Sequence, residues 1–450
     1  MRMQFGLSAF ERARGDLPAL PVVNMFAEEA PTEETGVVLQ SRPGLSDRGQ
    51  NMGSGPISAL FKRDGVLGST LYGIASKTLY SGSTAVGSVN GAGPFSMDGY
   101  EDKLFVAGGS SLWGYDGATL AAVSFPDGAS VTKCLVGGSR LIALRADTEK
   151  FYWSDVLSST IDGLSFATAE NQPDRLRDAL FMDDVLILFG AETVEFWPNT
   201  GDANLPFQPL EGRVFERGIK ATGCATKFGA TFAWVTDTNQ VCLTDPESII
   251  SKPGLEALIE ASGSVALQTF YLEGTEFLWL RIDAGDWVFS NRSKMWSQFT
   301  SYGLTNWRAQ CFAGGAFGSS TDGVTMAWGS GYEDMGGVLE RRFRAGFALN
   351  SGGASVNNVV LRTNVGATAF LSGTYANPTI EMARSLDAGR TWGRWRPVSL
   401  GEQGRYRQKV QWTACGQAGQ PGWLAEFRVT DPVPFRVSDV LMNEPFGGIA

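Results

Sequence analysis

The chain repeats itself. From Leu104 to Trp328 a short apolar run, a polar turn and a second apolar run recur, in units that begin near Lys103, Arg140, Asp184, Thr231, Glu276 and Gly323. One tryptophan marks each unit: Trp113, Trp153, Trp197, Trp234, Trp279 and Trp328, at gaps of 40, 44, 37, 45 and 49 residues. A recurrence of about 40–50 residues with several short strands per unit is the spacing of propeller blades. A sheet so small cannot bury both faces alone and must stack on its neighbours. The tryptophan holds no fixed place in the unit, and no WD or kelch signature repeats, so unrelated hairpins in a large β-sandwich are the competing reading. The spacing favours an all-β fold built on a β-propeller of about six blades. A further unit around 71–82 offers another.

The flanks differ from the repeats. Residues 1–60 are punctuated by Pro18, Pro21, Pro31, Pro43 and Pro56 and carry the acidic run Glu28, Glu29, Glu33 and Glu34. Two strand-like pieces, 21–28 and 36–44, lie among them. The expectation is an extended N-terminal arm that packs on another domain or another subunit, with a disordered tail as the alternative. Residues 61–337 form the propeller. Its segments 154–184 and 199–222, rich in Asp, Asn, Gly and Pro, read as long ordered loops on one rim. A helix is expected from Pro253, with Leu255, Leu258 and Ile259 on one apolar face. After Gly336 and Gly337 the character changes, and residues 338–450 read as a C-terminal β-sandwich-like domain, with one more blade plus a tail as the competitor.

Charge divides the same way. Residues 340–450 hold 13 Lys and Arg against 8 Asp and Glu, a balance of +5, whereas the whole chain is −10. The body at 1–339 therefore carries −15 and does not attract DNA to itself. Simple solubility explains the same balance.

Histidine is absent. That removes Ser-His-Asp and Cys-His nucleophile systems, imidazole metal sites and histidine acid–base work, and leaves only carboxylate chemistry of the glycosidase kind. The five cysteines, Cys134, Cys224, Cys242, Cys311 and Cys415, form no CxxC pair and read as small buried apolar groups. No apolar run reaches membrane-spanning length and no secretory segment opens the chain, so a soluble protein folding in a reducing compartment is expected. The tight carboxylate pairs Glu101-Asp102 and Asp183-Asp184 each precede a strand, where turn acids belong. No phosphate-binding glycine loop opens a helix. No cofactor or metal is expected.

Two motifs remain. Ser385, Asp387, Gly389, Thr391 and Trp392 match the Asp-box pattern S-x-D-x-G-x-T-W. The pattern is a turn: Asp387 accepts backbone N–H groups, Gly389 takes a conformation closed to other residues and Trp392 packs beneath. It is common in sialidases, far from their catalytic pocket, so a carbohydrate-binding or sialidase-like propeller is the alternative function. A single copy outside the repeats argues against it. Arg341, Arg342 and Arg344, with Arg390, Arg394, Arg396, Arg405 and Arg407 near Trp392, Trp395 and Tyr406, form a candidate basic docking patch. A solvated hairpin ranks first for it, docking onto an acidic protein face second and nucleic acid third.

The stretch 151–224 resembles a virion family: the packaged-DNA stabilisation proteins, or tail hub (nozzle) proteins, of short-tailed phages. The resemblance lies in Tyr152–Ser154, the A-E-x-x-P-D turn at Ala169–Asp174, the F-G-x-x-T-x-E strand pair at Phe189–Phe196 and Gly218–Ile219. The opening at 23–28 and Ser41-Arg42-Pro43-Gly44 is also similar to that family, as is the closing sheet around 385–395 and 427–442, less specifically. The resemblance implies a propeller body and structural work. It implies a ring, commonly a homohexamer, below the portal and its adaptor ring, which extends the DNA channel and helps retain the packaged genome. Tailspikes or fibres and a needle or plug are implied partners. Double-stranded DNA passes through the lumen without sequence-specific binding, and no membrane is entered. The place implied is the virion tail, assembled in the host cytoplasm. No catalytic residues carry over. Segments 154–184 and 199–222, with the N-terminal arm, are the expected ring contacts. A monomeric cellular scaffold is a third reading.

Overall fold

The computed structural model describes residues 3–6, 8–9, 19–33, 36–169, 174–347, 354–387, 389–418 and 422–444. Residues 170–173 of the Ala169–Asp174 motif and Glu34 of the acidic run lie outside them. The fold is all-β, and the only α-helix among the described residues is Pro253–Ala261, which buries Leu255 and Ile259.

Seven small antiparallel sheets follow one another along the chain, at 57–88, 96–122, 131–168, 176–215, 225–243, 265–299 and 309–328. Their innermost strands touch in cyclic order, from Ile57–Phe61 round to Ala309–Ala313 and back to the first. This is a closed seven-bladed propeller, one blade more than the tryptophan recurrence indicates. The added blade is the first, at 57–88, which contains no tryptophan. The drifting Trp position also has a reason. Trp113, Trp153, Trp197 and Trp328 lie on third strands, whereas Trp234 and Trp279 lie on second strands. Either position reaches the space between blades.

That space is the core. Separate apolar clusters fill the seams between blades 1 and 2, 2 and 3, 3 and 4, 6 and 7, and 7 and 1. Burying both faces of each sheet is what drives the ring shut. The richest seam, between blades 6 and 7, stacks Phe270, Phe277, Trp279, Trp307, Phe317 and Trp328. The turns from first to second strand are two residues long in blades 2 to 7. At Asp183-Asp184 both residues have positive φ, the backbone a tight hairpin requires. Glu101-Asp102 occupies the same turn of blade 2. Both carboxylate pairs are therefore turn residues.

Two expectations are corrected. Segment 154–184 is not one loop, since it holds the outer strand Ile161–Thr168 of blade 3 and the inner strand Leu176–Met182 of blade 4. Segment 199–222 is loop apart from Val214–Phe215, the short outer strand of blade 4. The described residues of 1–60 pack on the other domains, not as an extended arm but as strands built into them. Leu45–Asn51 pairs with Val324–Trp328 and completes the last blade, so both ends of the propeller tract share one sheet. Ile57–Phe61 opens the first blade.

The earlier strands belong to a sandwich built with residues 341–442. In its first sheet Arg341–Phe347, Trp423–Val429, Thr379–Ser385 and Arg396–Ser399 lie side by side. Val22–Val23 pairs with Arg341–Phe347 on one side and runs parallel to Trp296–Phe299 of blade 6 on the other, so sandwich and blade form one continuous sheet. Met25–Glu29 and Val37–Ser41 join Arg436–Met442, Asn358–Thr363 and Val410–Thr413 in the second sheet.

Candidate functional site

Asp174, the Phe189–Thr193 part of the strand-pair motif and Gly218–Ile219, all of which carry the family resemblance, converge on one turn. Asp174 is buried and its carboxylate accepts the N–H groups of Ala191, Glu192 and Thr193 at 2.6, 2.8 and 2.7 Å, and the Thr193 hydroxyl at 3.0 Å. Those donors form the turn between the second and third strands of blade 4. A Cβ on Gly190 would strike the Asp174 carboxylate, and one on Gly218 would strike the backbone of Ala191. Ile219 N donates to Gly190 O at 2.9 Å. The F-G-x-x-T pattern, Asp174 and the Gly218–Ile219 segment are thus one node, in which an anion gathers orphan backbone donors and two glycines permit the approach.

A second node joins the two domains. Arg42 is fully buried and forks onto Asp334 at 2.9 and 2.6 Å. Its Nε donates to Asn24 Oδ1 at 2.9 Å, and its remaining donors reach Pro43 O and Thr300 O. Asp334 also accepts Leu45 N at 3.0 Å and Ser301 Oγ at 3.1 Å. Asn24 closes the circuit by donating to Glu340 O at 2.7 Å and accepting from Thr300 N at 3.0 Å. The guanidinium lies 5.3 Å from the Phe299 and Trp307 rings. Four chain segments meet here: the N-terminal strands, the end of blade 6, the linker after blade 7 and the sandwich entry. Sequence reasoning singled out Ser41–Gly44 only as a resemblance and missed Asp334, which sits 292 residues from Arg42 and carries no local signal.

Polar links between blades repeat the theme. Asp98 pairs with Arg63 at 2.6 Å and accepts Val136 N at 2.9 Å; burial raises its carboxyl above the ordinary range against the pull of Arg63. Asp178 pairs with Lys133 and accepts Gly223 N at 2.8 Å. Asp286 accepts Trp279 Nε1 and Trp307 N at 2.6 and 2.7 Å beside Arg281. Burial pushes it up to about 6, and Arg281 opposes the shift. The thiols of Cys134, Cys224 and Cys311 each reach a carbonyl on the neighbouring blade. All five cysteines are buried and free. Among the described residues no group of His, Cys, Asp and Glu is set to hold a metal ion.

The Asp-box residues form a turn between Thr379–Ser385 and Arg396–Ser399. Asp387 accepts Thr391 N at 2.8 Å and Thr391 Oγ1 at 2.5 Å, Ser385 Oγ donates to it at 2.7 Å, and Trp392 Nε1 donates to Gly389 O at 3.1 Å. Gly389 has φ +87°. The Thr391 hydroxyl, the Thr391 N–H and the Ser385 hydroxyl hold the Asp387 carboxyl down at about 2. No chemistry is poised on it.

The eight arginines do not form one patch. Arg341 is fully buried, donates to the carbonyls of Val433 and Asp431, and is pushed down to about 10 by burial, so it cannot dock anything. Arg344 pairs with Glu426 at 2.9 Å and covers Trp392, and Arg342 lies beside Glu340 and Glu426. Arg396 donates to Thr413 O at 2.6 Å. Arg390 and Arg394 are exposed at the Asp-box end of the hairpin, while Arg405 and Arg407 are exposed at the other end, in a separate loop. The seven-residue strand Thr379–Ser385 separates the two ends, about 23 Å at the usual strand rise.

A propeller fused to a sandwich, with its most constrained polar residues devoted to holding turns and domains together, defines a scaffold-type β protein. Comparison with known proteins places it. The family model "Bacteriophage P22 Gp10, beta-propeller" matches residues 10–312, and "Bacteriophage P22 Gp10, beta-sandwich" matches residues 340–443. The chain belongs to this phage tail hub family. The curated tail hub protein gp10 of Salmonella phage P22 is 24% identical over 229 residues, 48% of each chain, so the match spans about half the length of that relative. Solved structures align more distantly. YCF48 from Cyanidioschyzon merolae is 10% identical, with TM-score 0.40, over 63% of this chain and 98% of that one. PorZ of the type-IX secretion system of Porphyromonas gingivalis is 11% identical, with TM-score 0.37, over 78% and 46%.

Proposed function

We propose that the chain is a structural tail hub of a phage virion. It assembles as a ring, six copies by family likeness, below a portal-adaptor ring, where it extends the DNA channel, helps retain the packaged genome and carries tailspikes or fibres and a needle or plug. It acts without catalysis. The observation that carries this reading is the pair of family matches, which cover residues 10–312 and 340–443.

The fold supports a particular path for DNA. Burial lowers the Lys227 ammonium of blade 5, which lies in the field of Asp98 of blade 2, Arg63 of blade 1 and Asp183 of blade 4. Charged side chains of four blades thus lie within electrostatic reach of one another, and the reading takes the duplex to run between copies and not through each propeller. The acidic body, −15 over residues 1–339, makes a wall to which a polyanion does not adhere. One expectation for the ring contacts changes: the strands at 22–41 are engaged within the chain, so the N-terminal segment is not a loose arm held out to a neighbouring copy.

The test is the mass of the purified protein, with and without the adaptor ring, followed by cryo-EM. A closed ring, alone or on the adaptor, is expected. A chain that stays at 48.3 kDa in both conditions overturns the reading.

A further inference from the structure

Two exposed faces on opposite sides of the molecule complement each other in charge and in apolar relief. The first lies on the rim of blades 3 and 4. Leu164 is 87% exposed on the outer strand of blade 3, and Val156 is 54% exposed in the loop before it. Asp155 and Asp162 stand exposed beside them, and Asp162 holds the turn by accepting Leu164 N at 2.8 Å. Buried Arg140 donates to Ser154 O at 2.8 Å and to Ala203 O at 3.3 Å, which locks the two rim loops into one surface. A cleft of about 730 Å³ continues it, between the strand end at Phe166 and the segment carrying Phe207 and Leu210.

The second face lies on the sandwich, on the loops 364–376 and 400–409. Leu371 is 82% and Tyr406 72% exposed, and Arg405 and Arg407 flank Tyr406, both exposed. Arg405 has only an exposed partner, Glu402 at 3.4 Å. These loops are built, not loose. Gly404 N donates to Gly366 O at 3.2 Å, Gly366 N to Leu400 O at 2.9 Å and Thr368 Oγ1 to Tyr375 O at 3.0 Å. A groove of about 540 Å³ beside Tyr406 is lined by Lys409, Arg436 and Glu33, with Glu33 paired to Arg436 at 3.4 Å and Lys409 3.9 Å from Glu444.

The placement matters as much as the chemistry. The sandwich extends the sheet of blade 6, and blade 3 is three places from blade 6 around the ring of seven. A contact between unlike faces on opposite sides propagates head to tail and closes into a ring when the rotation allows. Large apolar side chains left in water beside a single sign of charge mark such contacts.

We infer that the acidic, apolar rim of blades 3 and 4 seats the basic, apolar loops 364–376 and 400–409 of a second copy of this chain. Leu164 and Leu371 are its apolar anchors, and Asp155 and Asp162 face Arg405 and Arg407. The inference rests on the ring reading above and assigns its surfaces.

Cysteine pairing tests it cleanly, because all five native thiols are buried and burial raises each of them, so the introduced exposed thiols are the reactive ones. Leu164→Cys and Leu371→Cys proteins are oxidised alone and as an equal mixture. The mixture should yield a cross-linked dimer that neither protein yields by itself. A dimer from Leu164→Cys alone, or none from the mixture while the wild-type chain forms its ring, overturns the assignment and leaves the ring standing. In parallel, Asp155→Lys with Asp162→Lys, or Arg405→Glu with Arg407→Glu, should abolish the ring. All four changes in one chain should restore it. Variants that keep the ring in every combination overturn the charge pairing.

Discussion

Asp174 and Asp387 do the same thing in different places. Each gathers backbone N–H groups and a threonine hydroxyl into its carboxylate. Asp387 serves a turn that starts two residues away from it, in water. Asp174 is buried and serves a turn 17 to 19 residues away, on another strand of its blade. The Asp-box is the sharper sequence motif, since all five of its specified positions match. Yet a turn in water finds substitutes for a lost acceptor, whereas the N–H and hydroxyl of buried Thr193 find none. Motif sharpness and structural importance are different quantities, and burial decides the second.

The contrast can be pushed past Asp174. Arg42→Ala leaves Asp334 buried with its charge unpaired, and removing one partner of a buried pair costs about 3–5 kcal/mol. The midpoint of urea unfolding should show the largest loss here, and equal midpoints for Arg42→Ala and Asp387→Ala would break the comparison. Asp174→Ala should follow, at about 1–3 kcal/mol for the buried Thr193 donors it strands. Susceptibility of the 190–219 region to a protease would localise the damage.

Asp286 sharpens the comparison through pH. Its folded value is raised to about 6 from an ordinary 3.8, so the folded state binds the extra proton between those values. Its contribution is fully present below about 4 and is lost as pH rises through about 6. Asp286→Asn should remove that fall from the stability profile between pH 4 and 6. Asp387 has the opposite sign. Held at about 2, it stabilises above about 4, and the contribution is lost as pH falls towards 2. Being exposed, it should give the smallest effect, and Asp387→Ala should differ from the wild type in urea midpoint by less than any other variant here.

Much of the architecture was legible because it is periodic. Apolar runs of strand length at a steady interval, each with a tryptophan, report blades directly. Blade 1 was harder to read because it brings Tyr72, Ile74 and Leu79 to its seam and no tryptophan of its own. The strand Ile161–Thr168 read as loop because it exposes Asp162, Gly163 and Leu164 in succession, which hides the alternation. Of the polar sites, turns could be read because their donors and acceptors are close in sequence. The Arg42–Asp334 node could not, since nothing in either neighbourhood announces a partner some 290 residues away. The basic patch failed for a related reason. Sequence proximity of arginines does not say which are roofed over, and Arg341 is enclosed by residues from 429 to 433.

The interleaving of the two ends has a consequence in time. Val22–Val23 pairs with Arg341–Phe347, and Val37–Ser41 with Arg436–Met442. During synthesis Met25–Glu29 and Val37–Ser41 can pair with each other at once, but the edges they and Val22–Val23 offer to the later strands wait, at about 5–20 residues per second, roughly 15–60 s or more. Leu45–Asn51, which closes the last blade, waits nearly as long for Val324–Trp328. A nascent chain of this design carries unpaired edges until the strands at 324–442 emerge, and every such edge is open to wrong pairing in the meantime.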